Sequence, residues 1–211
     1  MKPSVLILSG PTHEYIDPVR FIGNASSGKM GRALATEAAR RGHRVEFITG
    51  PVASENLPAH RSLRIHPVTG AHEMLETAQP LFKKADIIIF AAAVADYAPA
   101  ERHPEKIAKS SEELVLRLRP TPDIAKTLCA GKRADQTAIG FALQTADGEE
   151  SARRKLESKH LDGIVLNSPA SLGAESGTFS FLSVGTDAFL NWGHIGKAAC
   201  AKNILDAIAA L

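Results

Sequence analysis

Two cysteines, two tyrosines and one tryptophan are the full complement of those types in 211 residues. Cys129 and Cys200 are too few for a disulfide framework or a four-thiolate zinc site, and read as small core hydrophobes in a reducing compartment. An excess of one charge is lacking too. The 25 Lys and Arg against 23 Asp and Glu leave a net charge of +2, which gives no global basic field for nucleic acid. The longest apolar run, from Ile87 to Ala95, falls far short of the roughly 20 residues that span a bilayer. The opening Met1-Lys2-Pro3-Ser4-Val5-Leu6-Ile7-Leu8 has too short an apolar stretch for a signal peptide. A soluble, cytoplasmic protein with neither a membrane nor a nucleic-acid partner is expected. What is present, 44% apolar and 23% charged residues, is the composition of a globular protein, and the length suits one domain over 1–211.

Apolar bursts alternate with helical periodicity along the chain. Strands are expected at Val5 to Leu8, Arg44 to Ile48, Leu63 to Val68, Asp86 to Ala93, Thr137 to Ala142 and Gly163 to Leu166. The segment 86–93 is apolar at consecutive positions, as in a strand covered on both faces. Helices are expected over 27–41, 71–84, 124–131, 149–160 and 195–211, with Pro80 kinking or splitting the second. A terminal hairpin is expected from 179–184 and 187–191. The alternation implies an α/β fold, a doubly wound, mainly parallel Rossmann-like sheet with helices on both faces. One stretch, 107–119, breaks the rhythm: Leu114, Leu116 and Leu118 alternate with Val115, Arg117 and Arg119. It reads as a hairpin or arm projecting from the α/β body with one apolar face.

In such sheets ligands sit beyond the carboxyl ends of the strands. Four features converge there. The connection from Gly10 to Ser26 is too long for an ordinary strand-to-helix loop and holds Thr12, His13, Glu14, Asp17, Arg20 and Asn24. It ends in Ser26-Ser27-Gly28-Lys29 at a helix start, where free backbone N–H groups and the helix dipole favour an anion such as phosphate. A serine cap on a surface loop would account for the serines but not the loop's length. The spacing from Gly23 to Lys29 matches a P-loop, yet Met30 stands where the magnesium-binding Ser or Thr belongs. The second feature is the run Ala91-Ala92-Ala93, whose small side chains let a ligand approach the backbone, followed by Asp96. The third is Lys106 in a proline-bounded loop, which could equally be a solvated lysine. The fourth is Lys155 and Lys159, stacked at i and i+4, a repulsion that a shared anion would remove and that Glu150 and Glu157 partly offset.

Taken together these strings carry a resemblance. SGPTHEYIDPVRFIGNASSGKMG (residues 9–31) resembles the N-terminal signature of the phosphopantothenoylcysteine synthetase family, also called phosphopantothenate–cysteine ligases. AAAVADY (91–97), PEKI (104–107), PDI (122–124), IGFA (139–142) and ARRKLESK (152–159) follow in the family's order, with similarity weakening after about Asn167. The resemblance implies a ligase of coenzyme A biosynthesis that joins 4′-phosphopantothenate to cysteine through an acyl-nucleotide, with CTP or ATP as co-substrate and Mg2+. It implies that Asn24 contacts the acyl-nucleotide, with Arg20 a weaker assignment, and that Lys106 belongs to a loop closing on the nucleotide. Ala91, Ala92, Asp96, Pro122, Asp123, Ile124, Ala125, Phe141, Lys155 and Lys159 fall at nucleotide-pocket positions. Ser26, Ser27, Gly28 and Lys29 fall near the substrate phosphate. Metal ligands are left unassigned, and the 107–119 arm resembles the family's dimerisation strands, so a homodimer is expected.

The pattern is departed from at Ala108, where the family has a lysine in Lys-Ile-Lys-Lys, at Thr121, where many relatives have Asn, and at Gln144, where Glu is usual. Many bacterial relatives carry the synthetase as the second half of a bifunctional flavoprotein. No decarboxylase half accompanies it here, and a stand-alone synthetase is expected. Two other readings stay open: a nicotinamide-dependent oxidoreductase, although the first strand ends Ser9-Gly10-Pro11-Thr12 without the G-x-G-x-x-G fingerprint, and a non-catalytic nucleotide-binding protein.

Overall fold

A computed structural model describes residues 2–143 and 148–211. Gln144 lies outside the described residues. Eight strands form one sheet: β1 (Ser4–Ser9), β4 (Arg44–Thr49), β5 (Leu63–Pro67), β6 (Ile87–Phe90), β9 (Thr137–Leu143), β10 (Gly163–Asn167), β11 (Ser176–Ser183) and β12 (Leu190–Gly196). Their order is β12-β11-β10-β9-β6-β1-β4-β5. The six from β10 to β5 run parallel, and the β11–β12 hairpin closes one edge antiparallel. Val5, Leu6, Ile7 and Leu8 are all buried because both faces of β1 are covered, which is why such strands read as unbroken apolar runs.

Five helices cover the faces: α1 (Lys29–Arg40), α2 (Ala71–Phe82), α3 (Ile124–Cys129), α4 (Gly148–Ser158) and α5 (Lys197–Ile208). One core cluster joins Leu6, Leu8, Ile88, Met74, Phe82 and Leu156; the other joins Val5, Ile7, Ile89, Leu34, Phe47 and Ile204. The odd and even positions of β1 and β6 thus supply the two faces, as the two-residue period of a strand requires. Strand order reverses between β1 and β6, and that switch point opens a crevice beyond the strands' carboxyl ends. Among the described residues no helix is long and apolar enough to cross a membrane.

The structure refines three expectations. Pro80 does not split its helix into two elements: α2 continues to Phe82. Pro80 stands in the last turn, where little helix remains after the one hydrogen bond it forfeits. The connection after β1 is not a plain loop but folds back as β2 (His13–Tyr15) paired antiparallel to β3 (Phe21–Gly23). In the 107–119 segment, expected as a hairpin or arm, regular structure is confined to its end. Only β8 (Leu118–Pro120) is a strand, paired with β7 (Tyr97–Pro99). Alternating side chains make a strand only where a partner backbone takes the ladder bonds; beyond β8 the pairing extends to the Arg117 carbonyl, which accepts from the Ala100 N–H at 2.8 Å, and residues 107–116 form no strand.

Candidate active site

A cleft of about 600 Å³ opens at the switch point, floored by the ends of β1, β6 and β9. At one end stands the N-terminus of α1. Gly28 precedes the helix in the left-handed conformation (φ 76°) and no side chain caps it, so a serine cap is not what this segment provides. The N–H groups of Lys29, Met30 and Gly31 meet no acceptor among the described residues. Gly31 is required by packing, because a Cβ there would come within 1.9 Å of Ser9 Oγ. The close approach of helix to strand sets those donors at the cleft edge, where they suit an anion. β3 belongs to the small hairpin rather than the central sheet, so residues 23–29 lack the strand context of a P-loop.

Most polar residues of the long connection hold it in place. Thr12 Oγ1 accepts from the Ala95 N–H at 2.9 Å, and Glu14 Oε1 accepts from the Ala71 N–H at 2.8 Å, capping α2. Asp17 is wholly buried and accepts from the backbone N–H groups of Val19, Arg20 and Ile107. The Arg20 guanidinium pairs with Asp17 at 2.5 Å and donates to the Ile107 carbonyl at 2.9 Å. That guanidinium holds the Asp17 carboxyl far below the usual carboxylate range. His13 stacks on Phe21 with ring centroids 3.7 Å apart. Asn24 reaches the cleft, and its Nδ2 donates to the Val94 carbonyl at 2.9 Å. The same Nδ2 lies 3.4 Å from the Ala93 carbonyl, so the carboxamide is oriented by the backbone after β6.

The opposite wall comes from the loop after β6, the start of α3, β9 and α4. Ala91, Ala92, Asp96, Pro122, Asp123, Ile124, Ala125, Phe141, Lys155 and Lys159 all line the cleft, as do Ser26, Ser27, Gly28 and Lys29. Thr121 ties this wall together: its Oγ1 donates to the Ala95 carbonyl at 2.5 Å and its N–H to the Asp96 carbonyl at 3.0 Å. Asp123 caps α3 through the Lys126 N–H and pairs with Lys159 at 3.0 Å. Lys155, one turn earlier on α4, makes no hydrogen bond or ion pair among the described residues. Burial, and then the neighbouring Lys159 charge, push its pKa down. A lysine left unpaired in a half-buried position is a candidate for pairing with a bound anion.

Two assigned residues are not brought to the cleft. Lys106 is exposed on an irregular segment outside it, and Arg20 is engaged with Asp17 and Ile107. One residue was missed. Lys197, the first residue of α5, lines the cleft beside the α1 terminus. In the sequence it is merely a lysine before an amphipathic helix, and no local signal marks it. Among the described residues no cluster of three or more His, Cys, Asp or Glu could cage a metal.

Residues 1–211 match the family model "DNA/pantothenate metabolism flavoprotein C-terminal domain". The chain is 40% identical over 213 residues to the coenzyme A biosynthesis bifunctional protein CoaBC of Bacillus subtilis, covering 98% of this chain and 51% of that protein. It is 47% identical over 173 residues to a protein named cysteine/cysteine sulfinic acid decarboxylase from an unknown prokaryote, covering 82% of this chain and 48% of that protein. The chain thus spans about half the length of these curated relatives. The crystal structure of the C-terminal domain of a CoaBC protein superposes with a TM-score of 0.83 at 35% identity, covering 99% of this chain and 94% of that one.

Proposed function

The chain belongs to the DNA/pantothenate metabolism flavoprotein C-terminal domain family, and on that premise we propose that it is a phosphopantothenate–cysteine ligase of coenzyme A biosynthesis. The observation that carries this reading is the convergence of uncapped helix N–H groups, Lys155, Lys159 and a wall of small residues on one edge of the sheet. Reacting a carboxylate with an amine at neutral pH requires activation. The phosphopantothenate carboxylate attacks the α-phosphorus of a nucleoside triphosphate, expelling pyrophosphate and forming an acyl-nucleotide. The cysteine amino group then attacks the acyl carbon, and the nucleoside monophosphate leaves with the bonding pair. No protein nucleophile is needed; positioning and neutralisation of charge supply the catalysis.

In this reading Ala91, Ala92, Asp96, residues 122–125 and Phe141 hold the nucleotide, and Lys155 with Lys159 faces its phosphates. Ser26 to Lys29 receive a phosphoryl group, and Asn24 orients the reacting acyl group from the hairpin end. The Asp17–Arg20 pair clamps the backbone at Ile107, so that Lys106 is positioned to fold over the bound nucleotide. Mg2+ suits the cleft as an ion arriving with the phosphates, which commonly supply most of its non-water ligands. Asp96 is the cleft carboxylate with no hydrogen bond or ion pair to its side chain among the described residues. The exposed apolar residues Tyr97, Leu114, Val115 and Leu118 lie on and between β7 and β8 and suit a homodimer contact. The buried free thiols Cys129 and Cys200 fit a reducing cytoplasm.

Incubating the protein with phosphopantothenate, cysteine, Mg2+ and either CTP or ATP tests the reading. Pyrophosphate and a nucleoside monophosphate should accumulate in step with the amide, and comparing the two nucleotides settles the preference. Release of a nucleoside diphosphate and inorganic phosphate would contradict the acyl-nucleotide route. Asn24→Asp, which replaces the donor to the Val94 carbonyl with a repelling carboxylate, should lose amide formation far more than it loses folding.

A further inference from the structure

We infer that Lys197 is a phosphoryl-binding residue that, with the N-terminus of α1, forms a phosphate subsite at the Ser26–Lys29 end of the cleft. The inference deepens the ligase reading by adding a residue to its site. α1 supplies three N–H groups without acceptors and has no side-chain cap. Gly28 cannot readily be replaced there, since a Cβ would lie 2.8 Å from Val52 Cγ1 on a backbone already at φ 76°.

The second, independent observation is Lys197 itself. The residue is only 8% exposed, yet its side chain makes no hydrogen bond or ion pair among the described residues. Its backbone N–H donates to the Glu175 carbonyl at 2.9 Å. The nearby Glu175 carboxylate is committed elsewhere, to Lys29 at 2.5 Å, and Lys29 also donates to the Gly173 carbonyl at 3.0 Å. Lys29 is therefore already paired, whereas Lys197 feels the Glu175 charge only at longer range and has no contact partner among the described residues.

Its location compounds the cost. Lys197 opens α5, where the helix dipole is positive and disfavours a cation. The side chain is buried while the ammonium keeps some contact with solvent, since Ser9 Oγ is the buried side-chain polar atom without a partner among the described residues. An unpaired charge at the positive end of a dipole thus carries a partial cost on two counts. Both costs are relieved when a polyanion sits between the ammonium and the α1 donors. Burial and then the Lys29 charge lower the pKa of Lys197, in keeping with a site that lacks its counter-ion. Burial restrains the alkyl stem of Lys197.

The ligand class is a phosphoryl group, supplied either by the nucleotide's polyphosphate or by the 4′-phosphate of phosphopantothenate. Calorimetric titration of the full chain with inorganic tripolyphosphate and with inorganic phosphate, comparing wild type, Lys197→Met and Lys197→Arg, tests the assignment. Losing one charged contact should weaken anion binding about 10- to 100-fold. Lys197→Arg should recover much of it, and the melting temperature of Lys197→Met should be no lower than that of wild type. In steady-state kinetics, a KM raised for the nucleotide alone assigns the subsite to the polyphosphate; a KM raised for phosphopantothenate alone assigns it to the 4′-phosphate. Unchanged anion binding in Lys197→Met, or a change confined to cysteine, overturns the inference. If Lys197→Met fails to fold, Lys197→Gln serves in its place. Should wild type bind the anions through Lys197 yet form no amide, the ligase reading falls while this subsite stands.

Discussion

Replacing Lys155 by Met should make the protein more stable and a worse binder of nucleotide. Lys155 on α4 and Lys159 just past its end stand one turn apart, and burial together with the Lys159 charge lowers the Lys155 pKa. A base whose folded pKa is depressed binds fewer protons folded than unfolded between the two pKa values, so stability rises with pH across that window and is lowest where both forms are charged. At neutral pH the charge is therefore a cost. Removing an i,i+4 like-charge pair recovers about 0.3–0.5 kcal/mol, and relief of partial burial, discounted for solvent screening and for the attraction of Asp96 and Asp123, brings the total to about 0.5–1 kcal/mol. Methionine keeps the alkyl stem, so packing against the α4 surface survives. In a chain of this size the gain should appear as a rise in melting temperature of about 1–4 °C. A charged hydrogen bond to a phosphate contributes about 1.5–3 kcal/mol, so the nucleotide Kd should rise by about 10- to 150-fold. Differential scanning calorimetry with and without nucleotide reads both effects in one experiment. A variant that melts lower than wild type, or that binds nucleotide as tightly, would refute the reasoning.

Other perturbations address different parts of the molecule. Gly31→Ala gains up to about 1 kcal/mol of helix propensity. It places a Cβ 1.9 Å from Ser9 Oγ and 2.4 Å from Ser9 Cβ, so strain should dominate and lower the melting temperature by about 4–10 °C. Ser9→Ala should rescue only part of the loss. Asp17→Asn removes the charge that Arg20 pairs with and one acceptor geometry at Ile107. Hydrogen exchange at residues 105–109 should accelerate, and acyl-nucleotide formation should slow about 10-fold or more, with the far-ultraviolet spectrum unchanged. Glu37, paired with Arg40 and Arg41, has its carboxyl held down at about 2. Its contribution is complete above about pH 5 and is lost as pH falls toward 2. Urea titrations across that range should show a shallower pH dependence for Glu37→Gln than for wild type, with a difference of about 1 kcal/mol for so partly exposed a network.

Much of the sheet was legible because both-face burial leaves a direct trace: Ile87 to Phe90 could hardly be anything but an inner strand. Its order was not, since crossover connections do not register in local patterns. The long segment after β1 was rightly singled out, but its polar residues divide into two kinds that composition cannot separate. Thr12, Glu14 and Asp17 are consumed by backbone N–H groups of distant segments, whereas Asn24 and Ser26 to Lys29 line the cleft. Leu114, Leu116 and Leu118 misled because period two reports a face, not a partner, and only Leu118 finds a strand to pair with. Lys155 and Lys159 were visible as a helical pair, although the Asp123 carboxylate that occupies Lys159 comes from a residue 36 positions away. Lys197 was invisible for the same reason: its isolation is a property of the packed molecule.

Activation of a carboxylate by direct attack on the nucleotide's α-phosphorus is the step on which the proposed ligase chemistry depends. Phosphopantothenate labelled with 18O in its carboxylate tests this most directly, with the products separated and weighed by mass spectrometry. One labelled oxygen should appear in the nucleoside monophosphate and none in pyrophosphate. Label recovered in inorganic phosphate, or retained entirely in the amide and unreacted acid, would contradict the account.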